Sequence, residues 1–196
     1  SSYGPTSNAN PDLAWEIATH LNVGVDFALV NSRLFGSLEY FTRETKDQLL
    51  SVNVPVPPNL VGQTLLNIGT TRNTGFEANV NFNVSNSSNF DWTTGIVFGT
   101  STSELMSWTK GDLSFSGGVL YRAAMGSPGQ SGVSLVRVVE GETLGQIWGP
   151  RYEGINADGT FKFADLVGDG SYCDCDDDRE VIGNGLPDFT LGWTNT

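Results

Sequence analysis

The chain has 196 residues, 38% of them hydrophobic and 16% charged, with a formal net charge of −12. Such a length allows one domain with a sizeable core. The acidic balance argues against nucleic acid as a partner, and no run approaches the roughly 18 apolar residues of a helical membrane span.

Residues 1–12 are rich in Ser, Asn and Pro and read as a loop. From Leu13 to Leu29 the odd positions include Leu13, Trp15, Ile17, Leu21, Val23, Val25 and Phe27, and the even positions include Glu16, His20, Asn22 and Asp26. Period two puts the two sets on opposite faces of one strand. It is far longer than the roughly 5–6 residues usual in soluble domains. A long strand with one apolar and one wet face suits a transmembrane β-barrel, with its apolar side to lipid and its polar side to the lumen.

Asn31-Ser32 marks a tight turn. A second strand is expected over about 33–47, with Leu34, Leu38 and Tyr40 on one side and Glu39, Arg43 and Glu44 marking the wet side. Residues 48–73, containing Val54-Pro55-Val56-Pro57-Pro58, read as a long connection, because proline donates no ladder bond. A third strand over 74–85 alternates Phe76, Ala78, Val80 and Phe82 with Glu77, Asn79, Asn81 and Asn83. Residues 85–89 form a turn, and a fourth strand over 90–103 carries Phe90, Trp92, Ile96 and Phe98 on one side. Phe90 and Trp92 stand where an interfacial aromatic girdle would lie.

Residues 104–132, with Gly117, Gly118, Gly126, Gly129 and Gly132, read as a long surface loop. Short strands are expected over 133–139 and 144–155, with a hairpin turn at Asn156-Ala157-Asp158-Gly159. A last strand begins at Phe189. The fold class is therefore all-β: an antiparallel, long-stranded segment of a transmembrane barrel with long extracellular loops. The alternative is a soluble extracellular β-sandwich module that binds calcium and carbohydrate. Its strands would be five to seven residues long and buried against a second sheet.

Between them, Phe163 and Phe189 enclose an acidic loop. Counted from Asp165, an EF-hand-like calcium loop would use Asp169, the Ser171 carbonyl and, at the closing position, Asp176 or Asp178, with Gly170 at the sharp turn. Val167 and Cys173 occupy two positions that want oxygen ligands. A bound calcium here would be structural. Cys173 and Cys175 are one residue apart, a spacing at which a bridge is expected to be strained, so free thiols or a local oddity are expected. Their acidic surroundings would raise a thiol pKa and disfavour a nucleophile. The lone histidine, His20, lies on the wet face and has no triad around it, and no carboxylate pair is singled out, so no enzyme chemistry is expected. Asn22, Asn79, Asn81 and Asn83 could hydrogen-bond a polar solute, though lumen-facing filler explains them more simply.

Asn10-Pro11-Asp12-Leu13-Ala14-Trp15-Glu16 and Asn22-Val23-Gly24-Val25-Asp26-Phe27 resemble the barrel of SusC/RagA-type TonB-dependent transporters of Bacteroidetes. So, in family order, do Glu39 to Asp47, Asn73-Thr74-Gly75-Phe76-Glu77, Glu140 to Gly145 and the run from Asp165 through Asp178-Arg179 to Phe189. Cys173-Asp174-Cys175 looks like an insertion within the family's acidic loop. The resemblance implies an outer-membrane importer of oligosaccharides or peptides, set in lipid, driven by an inner-membrane TonB complex and lidded by a SusD-like lipoprotein. It also implies that residues 1–196 are part of a barrel of about 22 strands, with plug, signal peptide and remaining strands lying outside them. Both ends look cut: no basic and apolar leader opens the chain, and Trp193-Thr194-Asn195-Thr196 stops inside a strand.

Overall fold

A computed structural model of the chain describes residues 4, 6–110, 113–114, 118–124, 126 and 133–196. The strands are β1 (Ile17–Leu29), β2 (Leu34–Asn53), β3 (Gln63–Ser87), β4 (Phe90–Ser107), β5 (Thr109–Lys110), β6 (Leu113–Ser114), β7 (Val119–Ala124), β8 (Ser134–Val139), β9 (Gln146–Gly149), β10 (Tyr152–Ile155), β11 (Phe161–Phe163), β12 (Glu180–Asn184) and β13 (Thr190–Asn195). They fall into two compact units. One comprises Ser1–Gly118, Glu140–Glu142 and Pro187–Thr196; the other comprises Val119–Val139 and Thr143–Leu186.

The first unit is built on an antiparallel five-stranded sheet in the order β1-β2-β3-β4-β13. Its first four strands have 13, 20, 25 and 18 residues, lengths that a sandwich does not use. β1 and β13 are open edges, so the five strands do not close on themselves. Tight turns join β1 to β2 and β3 to β4 at one end of the sheet. At the first of these, Val30, Asn31 and Ser32 all take positive φ, the left-handed backbone that a twisted hairpin needs. β4 leaves the sheet and β13 enters it from the other end.

Three boundaries differ from the sequence expectation. β1 begins at Ile17, four residues late, because the backbone of Ala14 is bonded elsewhere: its N–H donates to Asn67 Oδ1 (2.9 Å) and its carbonyl accepts from Asn67 Nδ2 (2.8 Å). The expected long connection over 48–73 is strand apart from residues 54–62. A bulge between Thr45 and Gln48, with Asp47 at φ 56°, shifts the phase of the alternation and hides the continuation in the sequence. Within the expected loop over 104–132, β4 runs on to Ser107 and β7 pairs with β8; Gly117, Gly129 and Gly132 lie outside the described residues.

The second unit holds a four-stranded sheet, β12-β9-β8-β7, and the hairpin β10-β11. The strand expected over 144–155 is broken into β9 and β10 around Pro150, which has no N–H to give a ladder. The expected turn at 156–159 closes the hairpin, with Asn156 N–H donating to the Thr160 carbonyl. Arg137 stacks its guanidinium 3.9 Å over the Trp148 ring.

Candidate functional site

The register of the five-stranded sheet lines up side chains in rows. Val25, Leu38, Ala78, Phe98 and Leu191 form one row across all five strands, and Phe27, Gly36, Val80, Ile96 and Trp193 form the next. Val23, Tyr40 and Phe76 lie above them, and Leu29, Leu34 and Phe82 below. Among the described residues of the first unit none covers this face: Val25 is 61% exposed, Ile96 51% and Leu191 66%. A contiguous apolar surface of this extent is not left to water in a soluble monomer.

Height supports the same reading. From Val23, in the row of Tyr40, to Leu29 is six steps at about 3.3 Å each, roughly 20 Å along the strand. At a tilt near 40° these rows stand about 15 Å tall, and with the half-apolar row of Leu21 above them about 20 Å, close to the lipid-facing band of outer-membrane barrels. Aromatic groups sit near both margins. At the tight-turn end Trp92 donates its indole N–H to Asn195 Oδ1 (3.2 Å), Trp193 donates to Thr94 Oγ1 (2.9 Å), and Arg33 lies 5.4 Å from the centre of the Phe82 ring. Tyr40, Phe76 and Phe189 mark the other margin.

Beyond that margin the same face changes character. A row of Leu21, Thr42, Thr74 and Thr102 comes first, then Thr19, Glu44, Arg72 and Glu104. Arg72 holds Glu44 through two nitrogens (2.7 and 3.2 Å), and Lys46 binds its other oxygen at 3.0 Å. Glu44 therefore does not share the wet face with Glu39 and Arg43, as expected; strand parity puts it on the lipid-side face, above the apolar band. Among the described residues of this unit, full burial of apolar side chains (Val52, Ile68, Leu105 and Trp108) occurs past this charged row, where no lipid is available to cover them.

The opposite face is polar. It carries His20, Asn22 and Asp26 from β1, Ser37, Glu39 and Arg43 from β2, and Asn73, Glu77, Asn79 and Asn81 from β3. Asn81 donates to Asn79 Oδ1 (2.8 Å), Asn73 to Ser103 Oγ (2.7 Å) and Asn22 to Glu39 Oε2 (3.3 Å). Glu39 and Glu77 are direct cross-strand neighbours. Like charges so placed repel, and a wet, high-dielectric lumen tolerates them where a packed interior would not. Phe41 is an exception on this face. It lies over Gly75, where a Cβ would collide with its ring and with the Thr100 carbonyl.

The acidic loop is organised around amide donors. Asp165 accepts from the N–H groups of Gly168 (2.6 Å), Asp169 (3.2 Å) and Gly170 (2.7 Å), and Asp169 accepts from Ser171 N–H (3.0 Å). Gly168 and Gly170 take φ of 75° and 99°, the left-handed geometry this tight coil requires. Of the two candidates for the closing position, Asp178 turns inward and Asp176 does not. Asp178 is fully buried and accepts from Leu166 N–H (2.8 Å) and Cys173 N–H (2.6 Å). The Cys173 amide, with support from those of Leu166 and Val167, holds its carboxyl below the usual aspartate value against the opposing effect of burial. Asp176 instead accepts from Tyr121 Oη (2.8 Å). Arg179 pairs with Asp174 at 2.7 Å and lowers that carboxyl's pKa. Among the described residues no three His, Cys, Asp or Glu side chains converge on one point. Asp165 and Asp178 are engaged by backbone amides, Asp169 by the Ser171 N–H and Asp176 by Tyr121, so these side chains are not gathered around a common point.

Cys173 and Cys175 are joined by a disulfide across one residue, the local oddity that was the alternative to free thiols at this spacing. Their Cα atoms are 5.3 Å apart, inside the range a bridge spans, because Asp174 bows out between them towards Arg179.

One clamp has no signature in the strand pattern. Asn8 Nδ2 donates to the carbonyls of Val61 (2.7 Å) and Gln63 (2.8 Å), and Asn10 Nδ2 to that of Leu65 (2.8 Å). Asn67, buried, completes the series with its two bonds to Ala14 and one from Nδ2 to the Asp47 carbonyl (2.8 Å). The only hint in the sequence is the density of asparagine in residues 8–10.

An open antiparallel sheet of strands this long, apolar on one face and wet on the other, with the apolar face exposed within the described residues of its own unit, is a piece of the wall of a transmembrane β-barrel. A family model described as TonB dependent receptor-like, beta-barrel matches residues 1–193, and the chain belongs to that family. TonB-dependent receptor P3 of Formosa agariphila is 31% identical over 207 aligned residues, covering 97% of this chain and 20% of that protein. TonB-dependent receptor SusC of Bacteroides thetaiotaomicron is 40% identical over 72 residues, covering 37% of this chain and 7% of that protein. The structure of the RagAB peptide transporter superposes with a TM-score of 0.62 at 19% identity, over 98% of this chain and 21% of the other. The chain thus spans about a fifth of the length of the first of these relatives. The family is one of outer-membrane transporters, not enzymes.

Proposed function

We propose that this segment is part of the wall of a TonB-dependent outer-membrane importer that takes up oligosaccharides or peptides and works with a SusD-like surface lipoprotein. The observation that carries the reading is the polar face of the sheet. A hydrated solute passing along it meets amide and hydroxyl groups from Asn22, Asn73, Asn79, Asn81 and Ser103, while the lipid sees only the apolar band. The likeness to the RagAB peptide transporter supports the peptide class, and the oligosaccharide class rests on the resemblance read from the sequence. The wall's part in the cycle is passive: it keeps the path wet, holds its shape and supplies weak, exchangeable hydrogen bonds. Energy comes from the TonB complex, through parts of the protein outside these residues.

The test is uptake by cells carrying the full protein. Fluorescent oligosaccharides and fluorescent peptides of matched size are offered separately, with and without a protonophore. Energy-dependent entry of one class, together with co-purification of a surface lipoprotein, is the expected result. Entry of both classes unaffected by the protonophore would mark a passive pore and overturn the proposal.

A further inference from the structure

The lipid-side face carries a groove of about 470 Å³ just beyond the apolar band, lined by Tyr40, Thr42, Thr74, Glu44, Lys46 and Arg72 among others. Its depth follows from the rows. Tyr40 closes the apolar band, Thr42 lies two residues further along the strand and Glu44 four. Each two-residue step rises about 5 Å once strand tilt is allowed for. The charged row therefore stands about 10 Å above the band's edge, where headgroups replace hydrocarbon. β4 leaves the sheet and β13 enters it from this end, and the tight turns lie at the other. In outer-membrane barrels the long connections are extracellular, so the groove faces the outer leaflet.

Charge there is unusual for a surface turned towards lipid. Lys46 is 59% exposed and Arg72 40% exposed. Each spends part of its donor set on Glu44, which fixes both cations at the groove and leaves N–H groups unspent: the ammonium has three donors and the guanidinium five. The Thr42 and Thr74 hydroxyls, 3.4 Å apart, line the floor below them. Glu44 keeps the site from being a bare cationic patch. The row alternates in sign and suits a headgroup that brings its own donors, such as sugar hydroxyls or an amine, beside a phosphate. The apolar floor of Leu21 and Tyr40 continues into the band and fits the start of an acyl chain.

We propose that this groove binds the phosphate-bearing headgroup of an outer-leaflet lipid. Lys46 and Arg72 donate to the phosphate, Glu44 and the threonines meet the headgroup's polar groups, and the acyl chains run down the apolar face.

The test uses the full protein purified in mild detergent, offered lipid A, the same lipid after enzymatic dephosphorylation, or phosphatidylethanolamine, with retained lipid read by native mass spectrometry. Heat-modifiable gel migration certifies the folded barrel. Wild type is expected to retain more lipid A than its dephosphorylated form, Lys46→Gln to retain one phosphorylated lipid fewer, and Lys46→Arg to restore it. Preference for phosphatidylethanolamine over lipid A would identify the occupant as a phospholipid and leave the site standing. Equal retention by wild type and Lys46→Gln, or equal retention of the dephosphorylated lipid, would overturn the proposal. Displacement of the lipid by excess inorganic phosphate would show a simple anion site and would overturn it as well. Should Lys46→Gln fail to assemble, Thr74→Val makes the same comparison. Solute uptake is measured in parallel, so that loss of lipid with transport intact separates this site from the proposed import function.

Discussion

Leu38 and Asn79 provide the sharpest test of the two faces. Leu38 lies in the middle row of the apolar band, beside Val25 and Ala78, and Asn79 is adjacent to that row on β3 but points to the other face. Leu38→Arg places a cation in hydrocarbon near mid-depth, where such a change on a barrel's lipid face costs about 2–4 kcal/mol. At about 1.4 kcal/mol per factor of ten, that is a roughly 30- to 700-fold loss in the folded-to-unfolded ratio. Asn79→Arg, at nearly the same depth, should stay within about 0.5 kcal/mol, because its charge remains in water. Thr42→Arg, at the headgroup margin, should cost about 0–1 kcal/mol. Equilibrium urea unfolding of the full protein in lipid vesicles measures all three. The reasoning fails if Asn79→Arg is as damaging as Leu38→Arg, or if the cost does not fall from Leu38 to Thr42.

Further outcomes follow from single contacts. Asn67→Ala removes three hydrogen bonds to the backbone at 14 and 47, about 3 kcal/mol at roughly 1 kcal/mol each; amide exchange at Ala14 should accelerate while the β1–β2 ladder stays protected. Asp158 is held below its ordinary value by the hydroxyl and then the N–H of Thr160. Because the folded value is the lower one, its stabilisation is complete above about pH 4 and is lost as pH falls through the lowered value. Exchange at Thr160, corrected for intrinsic rate, should rise in that window for wild type and be insensitive to pH in Asp158→Asn. Calcium added to chelator-treated protein should leave protease protection of residues 165–179 unchanged, since the carboxylates are already engaged by amides; a saturable rise in protection would show that the loop rearranges around a cation.

Much of the wall was legible in the residues themselves. Alternation along 17–29, 74–83 and 90–103 assigned side chains to their faces, because a strand's period of two is a local property of the backbone, and it failed at Val84, where a bulge shifts the register. The turns at Asn31-Ser32 and at 156–159 were equally local, set by residues that accept left-handed or tightly bonded backbone. Other features depend on partners far away in the chain. The start of β1 was decided by Asn67, 53 residues on, which captures the backbone of Ala14 before a ladder can form. The continuation of β2 and β3 past residue 47 was decided by cross-strand pairing that resumes after a bulge, a shift in phase that erases the periodic signal. Which aspartate closes the acidic loop depended on whether a buried carboxylate could collect enough amide donors, and Asp178 does so where Asp176 does not. Composition and periodicity determined which faces exist; register and long-range hydrogen bonding decided where each strand begins, where the membrane margin falls and which charges meet there. The physical reason is that side-chain direction is fixed by the nearest peptide units, whereas strand ends and ion pairs are fixed by whichever distant group satisfies them at the lowest free energy.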